Sequence, residues 1–145
     1  MTSLYPQPAV VMTTDECWAR LSSMSLGRLV TVAGGEPEIV PVNFAVQRRT
    51  VVIRTGTGTK LRDVQANPRV LFEVDDHTFE TAWSVVVRGE ASVLTDADDI
   101  AGAERAQVLP WIASPKDTFI RIDPTAIHGR VFSFLSQQNI SYESR

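Results

Sequence analysis

The sequence is poor in the residues that build disulfides, metal centres and hydrolytic triads. Its 145 residues include one cysteine, Cys17, and two histidines, His77 and His128. A single cysteine excludes an internal disulfide and a multi-cysteine metal site. Neither histidine is accompanied by a nucleophile elbow, so a Ser-His-Asp hydrolase is not expected. His77 follows Asp75 and Asp76 in a predicted acidic turn, which is more typical of a solvated loop than of a metal site, and we expect no metal.

The chain also lacks an excess of one charge and any long apolar run. It has 14 basic and 17 acidic residues, for a formal net charge of -3. This balance provides no basic face for a polyanion, so nucleic acid is not an expected partner. No stretch approaches the roughly 18 apolar residues that cross a membrane, and residues 1–14 do not resemble a signal peptide. We therefore expect a soluble, cytoplasmic protein with no membrane partner.

The pattern along the chain is one of short strands separated by turns. A length of 145 residues with 43% hydrophobic residues fits one domain with its own core. We place this core at residues 13–134, between an arm at 1–12 and a tail at 135–145. Strands are predicted at 26–33, 38–46, 50–55, 69–75, 83–94, 119–122 and 129–134. Six or seven short strands predict a barrel or sandwich and not an alternating α/β fold.

A few short helices are predicted beside these strands. Thr13 and Glu16 have the spacing of a capping box, and the apolar residues behind them recur at helical spacing as far as about Ser25. A second helix is expected at 61–66, where Asn67-Pro68 ends it. A third opens near Asp96 and reaches about Val108.

The strand at 38–46 has two different faces. Val40, Val42, Phe44 and Val46 form an apolar face that suits a core, whereas Ile39, Pro41, Asn43 and Ala45 form the other face. Pro41 cannot donate a ladder hydrogen bond, so it indicates an edge or a bulge at which a ligand can approach the backbone.

The strongest local signal for a ligand is the segment Arg54-Thr55-Gly56-Thr57-Gly58-Thr59-Lys60, at a strand-to-helix junction. Its glycines let the backbone approach a ligand, and the helix that follows presents unpaired N–H groups to a phosphate. Two cations and several hydroxyls complete such a site. A polar loop with two exposed cations explains the residues equally well. Trp83, at the start of the long strand, fits either a stacking contact or an ordinary core.

The order of four segments resembles the flavin-binding split barrels. They are Leu26-Gly27-Arg28-Leu29, Ile39-Val40-Pro41-Val42-Asn43-Phe44, the run from Val52 to Leu61, and the run from Asn67 to Asp75. The segments Trp83 to Gly89 and His128 to Phe132 continue the likeness. The chain is similar in particular to the pyridoxamine-phosphate-oxidase-like branch that includes the nitroimidazole-resistance proteins.

This resemblance implies a mainly β fold, a six-stranded antiparallel split β-barrel with short peripheral helices. It also implies a homodimer with two equivalent flavin sites at the subunit interface. The isoalloxazine ring would lie along Pro41 to Phe44, and the phosphate would lie at Arg54 to Leu61. The strand that opens at Trp83 would complete the site from the other subunit. The cofactor-binding residues so implied are Pro41, Val42, Asn43 and Phe44; Arg54, Thr55, Gly56, Thr57, Thr59, Lys60 and Leu61; and Trp83 and Ser84.

The resemblance predicts an FMN-binding oxidoreductase acting on an unknown small molecule. It leaves catalytic residues unassigned, because a flavin itself carries the reactivity. A deazaflavin-dependent reductase on the same fold is the first alternative, with Arg48, Arg49, Arg62, Arg69 and Lys60 as the cations available for that cofactor's acidic tail. FAD or haem is less expected. A carrier or sensor that binds flavin or haem without turnover is the second alternative.

Overall fold

The structure is a computed structural model, and it describes residues 9–56, 58–108 and 118–134. The strands are β1 (Val10–Val11), β2 (Leu26–Ala33), β3 (Glu36–Gln47), β4 (Thr50–Thr55), β5 (Arg69–His77), β6 (Thr81–Val93) and β7 (Thr118–Ser133). The helices are α1 (Thr14–Ser22), α2 (Thr59–Ala66) and α3 (Ala97–Glu104). None of these helices is long and apolar enough to cross a bilayer.

The strands form one antiparallel sheet that closes on itself. Its order is β1-β7-β4-β3-β2-β5-β6, and a further pairing of β6 with β7 completes the ring. Six strands, β2 to β7, therefore make the predicted mainly β barrel. The two-residue β1 adds to β7 at the end of the predicted N-terminal arm, while residues 1–8 of that arm and the tail at 135–145 lie outside the described residues.

Alternate side chains of each strand fill the barrel, as the period of two requires. Leu29, Ile53, Phe72, Val85 and Ile120 are completely buried. Phe44 and Phe72 meet edge to face with ring centroids 4.9 Å apart. A second, smaller apolar cluster lies beneath α3 and includes Val52, Leu94, Ala103, Val108 and Phe119.

The helix α1 begins as the capping box predicts. The Glu16 N–H donates to Thr13 Oγ1 at 3.2 Å, which satisfies one of the N–H groups that a helix start leaves unpaired. Cys17, Trp18 and Leu21 are buried on its inner face. The helix ends at Ser22, before the predicted end near Ser25.

Two sequence predictions about the strands are wrong. The strands expected at 119–122 and 129–134 are one continuous strand, β7. Pro124 does not interrupt it, because Pro124 lies where the β6–β7 register shifts beside Gly89, and a bulge tolerates a residue that cannot donate. Asp75, Asp76 and His77, which were expected in a turn, belong to β5, which continues through His77.

The hairpin between β3 and β4 has a strained two-residue turn. Gln47 pairs with Thr50, and the two residues between them, Arg48 and Arg49, have φ angles of 51° and 55°. Such turns favour Asn-Gly because side chains other than those of Gly, Asn and Asp are disfavoured at positive φ.

We expect Arg48→Asn to raise the free energy of unfolding by about 0.5–1 kcal/mol, because asparagine tolerates this backbone conformation better than arginine does. Urea denaturation of the variant and of Arg48→Lys checks this, since lysine keeps the strain and should leave the midpoint unchanged. If the urea midpoint rose equally in both variants, the stabilisation would come from loss of the arginine side chain and not from relief of backbone strain.

Candidate functional site

The barrel is split between β3 and β4. Residues Phe44 to Gln47 of β3 pair with β4. Among the described strands, the earlier residues Glu36 to Asn43 pair with β2 alone. β4 meanwhile continues to Thr55 in its pairing with β7. β3 therefore has a free edge that includes Pro41, as its proline predicts.

The backbone of β3 directs hydrogen-bonding groups into this split. The Phe44 N–H donates to the Ser25 carbonyl at 3.0 Å, on the side of β2. Because backbone groups of successive strand residues point to opposite sides, those of Pro41 and Asn43 point to the β4 side. Proline has no N–H, so these two residues offer the Asn43 N–H and two carbonyls. The Asn43 side chain turns back to Ser25, at 3.4 Å from its carbonyl.

The phosphate-type segment lies at the open end of the same split. α2 begins at Thr59, four residues after the end of β4, so its N–H groups and the positive end of its dipole are directed to this region. Arg54 is half-buried, with its guanidinium carbon 5.7 Å from the centroid of the Phe119 ring. Lys60 and Leu61 are also half-buried, and Leu61 packs against the core.

Contacts with β2 hold α2 in this position. The Thr31 hydroxyl donates to Asp63 Oδ2 at 3.2 Å, and Asn67 Nδ2 donates to the Val32 carbonyl at 2.9 Å. Val64 is buried in the core. We call the region bounded by the free edge of β3, the end of β4 and the start of α2 the cleft.

The structure separates the predicted site residues into two groups. Pro41 and Thr59 are exposed, and Asn43, Arg54, Gly56, Lys60 and Leu61 are half-buried around the cleft. The side chains of Val42, Phe44 and Thr55 are buried instead, and the Thr55 hydroxyl donates to the Gly56 carbonyl at 3.2 Å. The side chains of these three residues are therefore not available to a ligand in the cleft. Thr57 lies outside the described residues.

Trp83 and Ser84 are not part of the cleft within one protomer. Trp83 is 7% exposed and belongs to the core, with Arg20 stacked on its ring at 5.4 Å from the centroid. Ser84 is half-buried, and it pairs with Asp75 and Arg130 on the outer face of the sheet. β2 and β5 lie between β6 and β3, a separation of roughly 14 Å at the usual strand spacing.

The sequence analysis did not predict a charged cluster that lies on the outer face of the sheet. Arg28 Nη1 donates to Glu73 Oε1 at 2.8 Å and to Asp75 Oδ2 at 3.0 Å. Burial raises the pKa of Glu73 to about 7, assisted by hydrogen bonding and repulsion from Asp75 and opposed by Arg28. The sequence places both carboxylates on one face of a strand. It does not indicate that Arg28 on β2 pairs opposite Glu73.

The cleft has the donor set that a flavin nucleotide needs. The start of α2, with Arg54 and Lys60, suits a phosphate. An unused backbone edge on β3 suits the hydrogen-bonding rim of a flavin ring, because that rim carries both donors and acceptors. The exposed side chains of Ile39 and Pro41 beside this edge provide an apolar surface.

Comparison with known proteins gives the same assignment. Residues 13–131 match the family described as pyridoxamine 5'-phosphate oxidase. The FAD-binding protein of Mycobacterium smegmatis is 46% identical, with 86% of this chain and 99% of that chain covered and a TM-score of 0.75. An FAD-binding protein of Mesorhizobium loti is 27% identical, with 86% and 96% covered and a TM-score of 0.77.

A relative named as an enzyme is also found. The 5a,11a-dehydrotetracycline/5a,11a-dehydrooxytetracycline reductase of Streptomyces rimosus is 39% identical over 116 residues, which cover 74% of this chain and 75% of that protein. The matched family region contains β2 to β6 and most of β7, and so includes every wall of the cleft. The chain therefore belongs to the pyridoxamine 5'-phosphate oxidase family, and its fold is that family's flavin-binding split barrel.

Proposed function

We propose that this protein is a flavin-dependent oxidoreductase that acts on a small organic molecule. The observation that carries the proposal is the cleft, where an unpaired strand edge, two cations and a helix N-terminus meet. A bound flavin supplies the hydride or single-electron chemistry. The protein's own groups bind the phosphate through Arg54, Lys60 and the start of α2, and orient the ring through the backbone of Pro41 and Asn43.

FMN is the cofactor that the family resemblance predicts. The names of two relatives support FAD instead. Both nucleotides present the same flavin and first phosphate, so the same contacts in the cleft serve either one. The mass of the released cofactor decides between them.

The positions of the protein's basic residues do not favour the deazaflavin alternative. Arg48 and Arg49 lie in the β3–β4 turn, at the opposite end of β4 from Thr55. The six residues of β4 span roughly 20 Å, so these arginines cannot extend a groove that starts at Arg54 and Lys60. Only Arg62 and Arg69 remain for the acidic tail.

We further propose that two copies form a homodimer and that each supplies Ser84 to the other's cleft. Leu26 and Ile39, on the outer face of β2 and β3, are 40% and 63% exposed, which is unusual for large apolar side chains on a solvated sheet face. Covering this face with a second copy would bury them and bring β6 of one subunit towards β3 of the other.

An absorbance spectrum of the purified protein, followed by mass spectrometry of the heat-released cofactor, tests the flavin proposal. We expect a yellow protein that releases FMN or FAD. A colourless protein that takes up neither on soaking would refute it, and titration with a deazaflavin or haem would then distinguish the alternatives. Steady-state turnover with an added reductant and acceptor separates an enzyme from a carrier, which should show none.

The name of the Streptomyces relative supports the reducing direction on an organic substrate. Oxidation of the protein-bound reduced flavin by candidate unsaturated ketones, followed at the flavin absorbance band, tests this direction. A reduced flavin that reacts only with oxygen would contradict it.

A further inference from the structure

The outer face of β2 and β3 has the composition of a docking surface. The residues of β2 that point outward are Leu26, Arg28, Val30 and Val32, and Ile39 pairs with Val30 on the neighbouring strand β3. Leu26, Val32 and Ile39 are all exposed. Arg28 is thus the only charged residue in an apolar stripe. Contiguous exposed apolar surface of this kind indicates a binding partner.

The charges around this stripe favour a second copy of the chain as that partner. The outer face carries Arg69, Arg88 and Arg130 together with Glu90 and Asp75, all at paired positions of β5, β6 and β7. A surface with both signs can match a copy of itself across a twofold axis, where arginines of one copy meet Glu90 of the other, outside the cluster of Arg28, Glu73 and Asp75.

The cluster of Arg28, Glu73 and Asp75 lies within this face and has an unbalanced charge. One guanidinium faces two carboxylates, so the cluster has a net charge of -1 when both are ionised. The strand on the far side, β6, places Val86 opposite Glu73 and Ser84 opposite Asp75, and neither side chain ionises.

The other neighbours do not neutralise the second carboxylate. On β3, Pro41 lies opposite Arg28. Arg88 of β6 pairs with Leu71, one step along the same face, and His128 and Arg130 of β7 lie beyond Val86 and Ser84. Among the described residues, none of these three side chains forms an ion pair with Glu73 or Asp75.

We propose that two copies associate through this face and that each Glu73 takes up a proton when they do, so that the dimer weakens as the pH rises. This proposal rests on the homodimer proposed above and adds its regulation. The physical reason is that a second copy removes water from a cluster that already has one carboxylate too many, and desolvation disfavours the charged form.

The direction of the pH dependence of dimerisation, and the pH range in which it occurs, follow from the pKa of Glu73 in a single protomer. The pKa of Glu73 is raised from 4.5 to about 7 there, first by burial and then by Asp75. Further burial in the dimer raises it above this value. Below about pH 7 the carboxyl is protonated in both states, so the dissociation constant should be constant. Above that pH it should rise by up to about tenfold per pH unit for each proton taken up.

Sedimentation of the apo protein between pH 5.5 and 9 tests the proposal. The wild type should have a constant dissociation constant at low pH and one that rises above pH 7. Glu73→Gln, which mimics the protonated acid, should remain tightly dimeric across the range. Glu90→Gln is the matched control, because it removes an exposed carboxylate from the same face and should keep the wild-type pH dependence.

The possible failures are distinct. A wild-type dimer whose dissociation constant does not change with pH would refute the proton uptake and leave the homodimer intact, as would a Glu73→Gln variant that keeps the wild-type slope. A wild type and a Glu73→Gln variant that are both monomeric at every pH would refute the homodimer itself. Flavin binding is measured separately on the same samples by absorbance.

Discussion

Replacing Arg54 and Lys60 together by glutamine is expected to lower the affinity for flavin nucleotide by about 100-fold or more. Hydrogen bonds to charged groups contribute about 1.5–3 kcal/mol each, and about 1.4 kcal/mol corresponds to a tenfold change in affinity. Both side chains lie at the open end of the cleft, beside the start of α2. Glutamine keeps most of the length of each side chain and removes its charge.

Isothermal titration of the apo protein with FMN and with FAD measures this loss. The matched control is Arg62→Gln together with Arg69→Gln, which removes two exposed arginines from the same region of the chain and should cost much less than tenfold. Riboflavin, which has no phosphate, provides a second check, because the double variant should bind it as the wild type does. An equal loss for riboflavin would show that the substitutions damage the fold and not the phosphate site.

Arg54 also has a structural neighbour, the Phe119 ring. Cation–π contacts contribute about 0.5–1 kcal/mol at partly exposed positions, so the double variant should lose a little stability without unfolding. Thermal unfolding followed by circular dichroism separates this effect from the loss of affinity. The affinity should be compared only at temperatures at which both proteins are fully folded.

Phe72→Ala should lower the free energy of unfolding by about 3–5 kcal/mol, because it leaves a cavity in a close-packed core. Phe72 is completely buried and contacts Phe44 edge to face. Gly27 lies directly against the same ring, so close that a Cβ at residue 27 would overlap it. The paired strands β2 and β6 on either side of β5 fix this region, and the cavity can therefore close only in part.

Urea denaturation of Phe72→Ala and Phe79→Ala checks that Phe72 belongs to the close-packed core. Phe79 is 83% exposed, so the same chemical change there should alter the free energy of unfolding by less than about 0.5 kcal/mol. Because Phe44 belongs to β3, Phe72→Ala should also weaken flavin binding through the free edge. A small stability loss for Phe72→Ala, equal to that of Phe79→Ala, would contradict the described core.

Local signals in the sequence predicted much of the barrel. The limits of β2 and β4 agree with the prediction, and Thr13 caps α1 as expected. Turn residues and alternating apolar residues determine these features over a few positions, so the surrounding structure does not override them. Pro41 likewise predicted a strand edge, because a residue without a backbone N–H cannot complete the hydrogen-bond ladder of any sheet.

The features that depend on distant pairing could not be predicted in this way. Trp83 has the same flanking residues whether it stacks on a ligand or lies in the core, and only the closed barrel buries it. Thr55 has a hydroxyl that suits a phosphate, yet its place in β4 turns that hydroxyl inward. The two strands expected at 119–122 and 129–134 are one strand because β6 pairs with both parts of it. The cluster around Glu73 depends on how β2 and β5 pair. Arg28 and Glu73 are 45 residues apart in the sequence, so local patterns do not show that they meet.

The position of β7 has a consequence for how the protein is made. β7 is the last of the described strands in chain order, and it pairs with both β4 and β6. A ribosome that has synthesised the chain only as far as β6 has therefore released two unpaired strand edges, and the barrel cannot close until residues 118–133 emerge. Folding that waits for such distant pairing is slow, and open edges invite association with other nascent chains. Truncation before Thr118 should thus give an aggregating product, and chaperone demand should be highest just before residues 118–133 emerge.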